Sequence, residues 1–117
     1  MKILVVDDEQ LVRWFLDRAL KKSGHEVIVA GNIAEASAIL DTGKIDIVFL
    51  DLKMPEGYGT DLIDKMGDFP RRPKIVVCSA FITSDYEEKF RREGIHILKK
   101  PFKLEELNQI LDACLKT

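Results

Sequence analysis

Residues 3–24 have the sequence ILVVDDEQLVRWFLDRALKKSG, which contains one complete strand-to-helix unit. The four apolar residues from Ile3 to Val6 predict a short buried strand, and two acids follow them directly. Apolar residues then recur at the spacing of one helix face, and Gly24 is a helix stop signal. These apolar positions are Leu11, Val12, Phe15, Leu16, Ala19 and Leu20. The stretch therefore predicts a buried strand, an acidic loop and an amphipathic helix.

The same alternation continues to the end of the chain. Further β-branched runs predict strands at 27–29, 45–50, 75–77 and 95–98. Asn32 with Glu35 has the spacing of a capping box and predicts the start of a second helix, and Ser84 with Glu87 predicts the start of a very polar fourth helix. The third and fifth helices are predicted at 60–66 and 104–115. Five strands alternating with five helices predict one α/β domain, residues 1–117, with a doubly wound parallel sheet.

Composition excludes several classes of protein. The 117 residues carry a net charge of −2, with 46% hydrophobic and 32% charged residues, as expected for a folded globular domain. Near-neutral charge argues against direct binding of nucleic acid, and no apolar run approaches the ~20 residues of a membrane span. Cys78 and Cys114 lack metal-binding spacing, so we expect reduced thiols in a cytoplasmic protein.

Polar residues that suit phosphoryl chemistry follow four of the five predicted strands. They are Asp7, Asp8, Asp51, Ser79 and Lys100. Ligands of such sheets bind beyond the carboxyl ends of the strands, so we expect these side chains to form one site. Clustered carboxylates repel one another unless a cation lies among them, and oxygen ligands favour Mg²⁺. A lysine beside that cation suits phosphate oxygens, and Asp51 could act as a carboxylate nucleophile.

Four motifs lie at these strand ends: LVVDDE at 4–9, DLKMP at 51–55 with Gly59, SA at 79–80, and KPF at 100–102. Together, in this order and spacing, they resemble the receiver domain of bacterial two-component (phosphorelay) response regulators. The resemblance covers essentially the whole chain. It implies a flavodoxin-like (βα)5 three-layer sandwich with a parallel five-stranded sheet of order 2-1-3-4-5.

The resemblance also implies how the site binds its metal and accepts its phosphoryl group. Asp51 would accept the group from a histidine kinase or a histidine phosphotransfer protein. Mg²⁺, for which Mn²⁺ can substitute, would be held by Asp7, Asp8, Asp51 and the backbone carbonyl of Lys53. Lys100 would pair with Asp51 and then with the phosphoryl oxygens. The domain would be no enzyme, but would assist its own phosphorylation and dephosphorylation.

The resemblance further implies a switch. Ser79 would swing toward the phosphoryl group and carry Ala80 and the rest of its loop with it. This movement would change the surface of the fourth helix, fifth strand and fifth helix, which would regulate an output partner or domain. The Lys100–Pro101 bond is expected to be cis, which only X–Pro bonds adopt at small cost.

Three positions call for separate hypotheses. Ile97 departs from the family pattern, since an aromatic ring often stands three residues before the lysine and rotates during switching. His96 points to the opposite face of the strand and is interpreted as a boundary residue. Phe81, like Lys53, borders the approach of water, so we hypothesise that Phe81 prolongs the aspartyl phosphate; a loop anchor is the equal alternative. Trp14 is interpreted as a surface residue or as a docking contact for the donor.

Two other classes and several partners stay open at this point. A Mg²⁺-dependent phosphatase would use an aspartyl phosphate, although no insertion is long enough for a substrate cap. A receiver-like interaction module would never be phosphorylated. The sequence does not distinguish a stand-alone regulator from a domain of a longer protein with a missing output domain. Homodimerisation on phosphorylation, through the fourth and fifth helices, is also open.

Overall fold

The computed structural model describes residues 1–54 and 57–116; Pro55, part of the DLKMP motif, lies outside them. The main strands are β1 (Lys2–Val6), β2 (Glu26–Ala30), β3 (Ile47–Asp51), β4 (Lys74–Ser79) and β5 (His96–Lys99). The helices are α1 (Gln10–Lys22), α2 (Ile33–Leu40), α3 (Gly59–Gly67), α4 (Ser84–Arg92) and α5 (Leu104–Leu115). Two short strands, Lys53–Met54 and Gly57–Tyr58, pair antiparallel between β3 and α3. Within the described ranges, every helix is too short or too polar to cross a membrane.

The five main strands form one parallel sheet in the order β2-β1-β3-β4-β5, which confirms the predicted fold class. The apolar residues of the three inner strands β1, β3 and β4 are buried on both faces, as a sheet covered by helices requires, whereas the edge strand β2 is partly exposed. Strands β1 and β3 pair in parallel, so their carboxyl ends lie side by side, and the strand order reverses between them. Such a reversal point opens a crevice beyond the strand ends.

Alternate residues of each strand contribute to two separate cores. On one face, Val48 and Leu50 pack with residues of α2, α3 and α4, including the fully buried Phe90. On the other face, Ile47 and Phe49 pack with residues of α1 and α5. The molecule therefore has the three-layer arrangement of helices, sheet and helices.

Helix boundaries agree with the sequence predictions at α2 and differ at α3 and α4. The Asn32 side chain accepts a hydrogen bond from the Glu35 amide at 2.8 Å, as the capping-box pattern predicts. The cap of α4 is Thr83, whose hydroxyl accepts from the Tyr86 amide, so Ser84 is the first helical residue instead. Helix α3 begins at Gly59, one residue before the predicted start.

Candidate functional site

Four acidic residues meet at the carboxyl edge of the sheet. Asp7 follows β1 directly and is 1% exposed, and Asp51 ends β3 and is 6% exposed. Asp8 and Glu9, on the loop from β1 to α1, are exposed. Each acid offers one carboxylate oxygen, and these oxygens all lie within 4.8 Å of one another. The parallel strands thus bring together acids that are more than 40 residues apart in the chain.

Lys100 lies at the centre of this acidic cluster. Its ammonium donates to Asp7 Oδ2 at 2.8 Å, Glu9 Oε1 at 3.2 Å and Asp51 Oδ2 at 3.3 Å. Its side chain is only 11% exposed. Burial of the ammonium lowers the pKa of Lys100, but its bonds and charge interactions with Asp7, Asp51 and Glu9 outweigh burial, so the net pKa is raised. Lys100 is therefore firmly cationic at neutral pH.

The sequence motifs predict that Lys100 pairs with Asp51, and they predict no role for Glu9. The structure brings Lys100 and Asp51 together, but places Asp7 nearer to the ammonium and adds Glu9 as a third acceptor. Glu9 immediately follows the acidic pair in the LVVDDE motif, which is the only sequence signal that could have indicated it. One ammonium thus faces four carboxylates, and negative charge remains in excess.

The hydroxyl of Ser79 is engaged within its own loop. Its Oγ donates to the Phe81 carbonyl at 3.0 Å and accepts from the Phe81 amide at 3.3 Å. Ser79 is buried, whereas the side chains of Ala80 and Phe81 are exposed, Phe81 to 81%. Ser79 and Lys100 are joined through the backbone, since the Lys100 amide donates to the Ser79 carbonyl at 2.9 Å.

An open cleft of about 860 Å³ runs from the acids to the start of α4. Asp8, Asp51, Ser79 and Lys100 line its polar end, and Phe81 and Tyr86 line the end toward α4. Tyr86, which sequence reasoning did not single out, stacks on the buried Phe90 with ring centroids 5.6 Å apart. The cleft is large enough for a phosphoryl group and part of its donor.

Gly59 packs directly against the backbone of Asp51. Its amide donates to the Leu52 carbonyl at 2.8 Å. A Cβ at position 59 would lie 2.5 Å from the Asp51 carbonyl oxygen and 3.1 Å from both Leu50 Cγ and Leu52 Cα. Only glycine therefore allows α3 to begin this close to the end of β3.

The other predicted residues lie around the cleft. Lys53 belongs to the first short strand, two residues after Asp51. The Lys100–Pro101 peptide bond is cis. Ile97 is partly buried against the core that contains Phe90, and His96 is half-buried. Trp14 is 57% exposed on α1, with the Arg18 guanidinium 5.0 Å from its ring centroid.

The donor set fits a hard divalent cation. The carboxylate oxygens of Asp7, Asp8 and Asp51 are the ligand type that Mg²⁺ prefers, and the exposure of Asp8 leaves room for bound water. Such a cation would offset the excess negative charge that Lys100 alone does not balance. Carboxylates, a buried lysine and an adjacent hydroxyl at one sheet edge define a class of domain suited to phosphoryl groups.

Comparison with known families identifies that class. A family model described as the response regulator receiver domain matches residues 3–112, nearly the whole chain. The chain belongs to this family, and it is a receiver domain of the two-component signalling type.

Individual relatives agree with this assignment. The chain is 34% identical over 116 residues to the DNA-binding transcriptional regulator NtrC of Azospirillum brasilense, covering 98% of this chain and 24% of that protein. It is 34% identical over 108 residues to the transcriptional regulatory protein PdtaR of Mycobacterium tuberculosis, covering 91% of this chain and 52% of that protein. The chain thus spans about a quarter and about half of these two relatives.

A solved structure of nearly the same length is also similar. The chain is 30% identical to a response regulator from Thermotoga maritima, with a TM-score of 0.84, covering 99% of this chain and 98% of that one.

Proposed function

We propose that residues 1–117 form one receiver domain in which Asp51 accepts a phosphoryl group from a phosphohistidine on a kinase or phosphotransfer protein. The observation that carries the proposal is the position of the Asp51 carboxylate. It ends β3, accepts a hydrogen bond from Lys100 and lines an open cleft. A carboxylate nucleophile with a fixed cation beside it and access to a donor meets the main requirements of phosphoryl transfer.

The proposed metal site uses the acids nearest to Asp51. Asp7, Asp8, Asp51 and the backbone carbonyl of Lys53 would hold Mg²⁺, with Mn²⁺ as a substitute. When bound, the ion would neutralise charge on the oxygens of the transferring group. The clustering of the acids within 4.8 Å supports this assignment.

In the proposed transfer, an Asp51 carboxylate oxygen attacks the phosphorus of the phosphohistidine. The new P–O bond forms as the P–N bond breaks, and the electron pair of that bond stays on the imidazole nitrogen. Lys100 lies where it can donate hydrogen bonds to the phosphoryl oxygens, because it already reaches Asp51. The domain undergoes one modification per donor and is not a turnover enzyme.

Ser79 supplies the proposed switch. In this structure its hydroxyl donates to the Phe81 carbonyl, so it must break that bond before it can donate to a phosphoryl oxygen. The movement would carry Ala80 and the loop before α4. With Ile97 packed in the core, no aromatic ring at that position accompanies the movement. We therefore propose that the signal reaches the surface of α4, β5 and α5 through the loop itself.

The proposed output is a protein contact. NtrC and PdtaR, which are named as transcriptional regulators, are longer than this chain, and its own net charge of −2 does not favour direct binding of nucleic acid. The partner would be an output domain or a separate protein, with homodimerisation as one form of that contact.

The test is intact mass spectrometry after incubation with acetyl phosphate, with and without Mg²⁺. We expect one Mg²⁺-dependent phosphoryl adduct, which Asp51→Asn abolishes. Asp64→Asn removes an exposed acid of α3 and should leave the adduct unchanged. An adduct that survives Asp51→Asn would refute the assigned acceptor. Continuous release of phosphate from a generic phosphomonoester would favour the phosphatase alternative.

A further inference from the structure

Arg13 contacts the acidic loop at both of its ends. Its guanidinium Nη1 donates to the backbone carbonyl of Asp7 at 2.6 Å, and its amide donates to the carbonyl of Glu9 at 3.1 Å. The side chain is half-buried, whereas the neighbouring cation on the same helix, Arg18, is exposed. The bond to Glu9 is the first helical bond of α1, which the backbone makes whatever the side chain. The guanidinium alone therefore ties α1 to the start of the segment that carries Asp8, the exposed one of the three aspartates proposed as metal ligands.

Lys100 holds the carboxylates of Asp7 and Glu9, and two further hydrogen bonds restrain the backbone of the loop. The Asp7 amide donates to the Ala30 carbonyl at 3.2 Å, and the Glu9 amide donates to Asp7 Oδ1 at 2.9 Å. Glu9 occupies the N-cap of α1 but makes no side-chain capping bond within the described chain, since its carboxylate is turned to Lys100. The Arg13 guanidinium ties the carbonyl of Asp7 to the first turn of α1, although as a donor it does not replace the acceptor that a capping side chain offers to the free helix amides.

Gly31 leaves room for this contact. A Cβ at position 31 would lie 3.1 Å from Arg13 Nη1 and 3.5 Å from Cζ. The backbone of Gly31 is not left-handed, unlike that of Gly24, Gly43 and Gly94, so its conformation does not require glycine. An alanine there would require the end of the Arg13 side chain to shift by a few tenths of an ångström.

We propose that Arg13 is a positioning residue for the metal site: through the Asp7 carbonyl, its guanidinium holds the loop so that Asp7 and Asp8 present their carboxylates to Mg²⁺. The inference rests on the metal site proposed above.

Charge and positioning predict opposite effects when Arg13 is replaced. Removing a cation near four carboxylates would, through charge alone, strengthen the binding of a divalent cation. Releasing the loop would instead weaken binding, because the carboxylates would have to be ordered at the expense of binding free energy. The direction of the change therefore separates the two roles.

The experiment is an NMR titration of backbone amides with MgCl₂ on the full chain, comparing wild type with Arg13→Met. We expect the dissociation constant for Mg²⁺ to rise about tenfold, in the range found when groups that orient metal ligands are removed. Arg13→Lys, which keeps a donor, should recover part of the affinity. Arg18→Met removes the same charge from the exposed side of α1 and should leave the constant unchanged or slightly lower.

Phosphorylation by acetyl phosphate gives an independent readout. For Arg13→Met the Mg²⁺ concentration at half-maximal rate should rise by the same factor, while the rate at saturating Mg²⁺ should stay within about twofold of wild type. A general loss of structure would lower the rate at saturation as well, so this split distinguishes positioning from a merely structural role.

Gly31→Ala provides a second variant that leaves Arg13 in place. The added Cβ should shift the guanidinium by a few tenths of an ångström and weaken Mg²⁺ binding less than Arg13→Met does. In the Arg13→Met background it should add nothing, because the atoms it would meet are gone. This variant also carries the test if Arg13→Met fails to fold, as judged by its amide spectrum.

Unchanged or tighter Mg²⁺ binding by Arg13→Met, or full additivity with Gly31→Ala, would overturn the positioning role while leaving the metal site intact. Failure of the wild-type chain to bind Mg²⁺ would remove the proposed metal site and this inference with it.

Discussion

Replacing Gly59 with alanine tests how closely α3 approaches the end of β3. The new Cβ would lie 2.5 Å from the Asp51 carbonyl oxygen, well inside the ordinary contact distance of 3.4 Å. The obstacle is strand backbone, which cannot rotate away as a side chain would. Overpacking of this kind costs about 1–3 kcal/mol, and the better helix propensity of alanine returns less than about 1 kcal/mol. We expect a net loss of about 2 kcal/mol in the free energy of unfolding.

Gly67→Ala is the matched control, since it makes the same chemical change at the other end of α3. No atom lies within 4 Å of a Cβ at position 67, and the backbone there is not left-handed. This variant should be neutral or up to about 1 kcal/mol more stable. Urea titrations followed by circular dichroism measure both changes, and a loss of about 2 kcal/mol should lower the Tm of Gly59→Ala by about 8 °C.

The rate of phosphorylation shows whether the crowding at position 59 also affects Asp51. The Cβ would press on the carbonyl of Asp51 itself. Acetyl phosphate should therefore phosphorylate the Gly59→Ala variant more slowly than wild type, even at temperatures where the variant is fully folded. Equal stability of Gly59→Ala and Gly67→Ala would refute the close approach. Loss of stability with an unchanged phosphorylation rate would show that the strand end absorbs the alanine without moving the carboxylate.

Three further predictions concern Lys100, Phe81 and Trp14. Lys100→Met should cost about 3 kcal/mol at neutral pH, because it leaves the buried Asp7 without its nearest cation. The pKa of Lys100 in the folded state is raised above its unfolded value of about 10.4. The difference in unfolding free energy between wild type and Lys100→Met should therefore stay constant up to about pH 10 and decline only above it. Urea titrations across that pH range would check this. Phe81→Ala should raise the decay rate of the aspartyl phosphate about threefold by admitting water to the cleft that Phe81 lines, as measured by loss of radiolabel; an unchanged rate would refute the shielding role. Trp14→Ala should slow transfer from a phosphohistidine donor about fivefold without affecting acetyl phosphate, and unchanged transfer kinetics would remove the docking role.

Much of the fold is predictable from local patterns. The strand-to-helix unit at 3–24 repeats, and uniformly apolar strands require cover on both faces, so a parallel sheet between helix layers follows from period and burial alone. The order of the strands came from the family resemblance. Helix starts were less certain because adjacent polar residues compete for the cap: Thr83 caps α4, although Ser84 has the better capping-box spacing.

The site is predictable in its members but not in its contacts. The residues that follow the strands converge because parallel strands end at one edge, and this places Asp7, Asp51, Ser79 and Lys100 together without any structure. Which carboxylate lies nearest to the ammonium depends on side-chain placement across more than 90 residues of sequence, and no local pattern encodes it. The role proposed for Arg13 could not be predicted from the sequence for the same reason. Its partner is a backbone carbonyl, and the residue that leaves space for its guanidinium is Gly31, on another loop.

A backbone hydrogen bond joins Ser79 at the end of β4 to Lys100 just after β5. The amide of one residue donates to the carbonyl of the other, so the spacing of these positions is set by main chain and is independent of the side chains they carry. A change of side chain at either position should therefore alter the charge and hydrogen bonding of the site while the two strand ends keep their spacing. The acidic loop is the exception, because there a side chain, Arg13, sets the position of the backbone. Replacing Arg13 should accordingly move the loop backbone, whereas replacing Ser79 or Lys100 should leave the spacing of the ends of β4 and β5 intact.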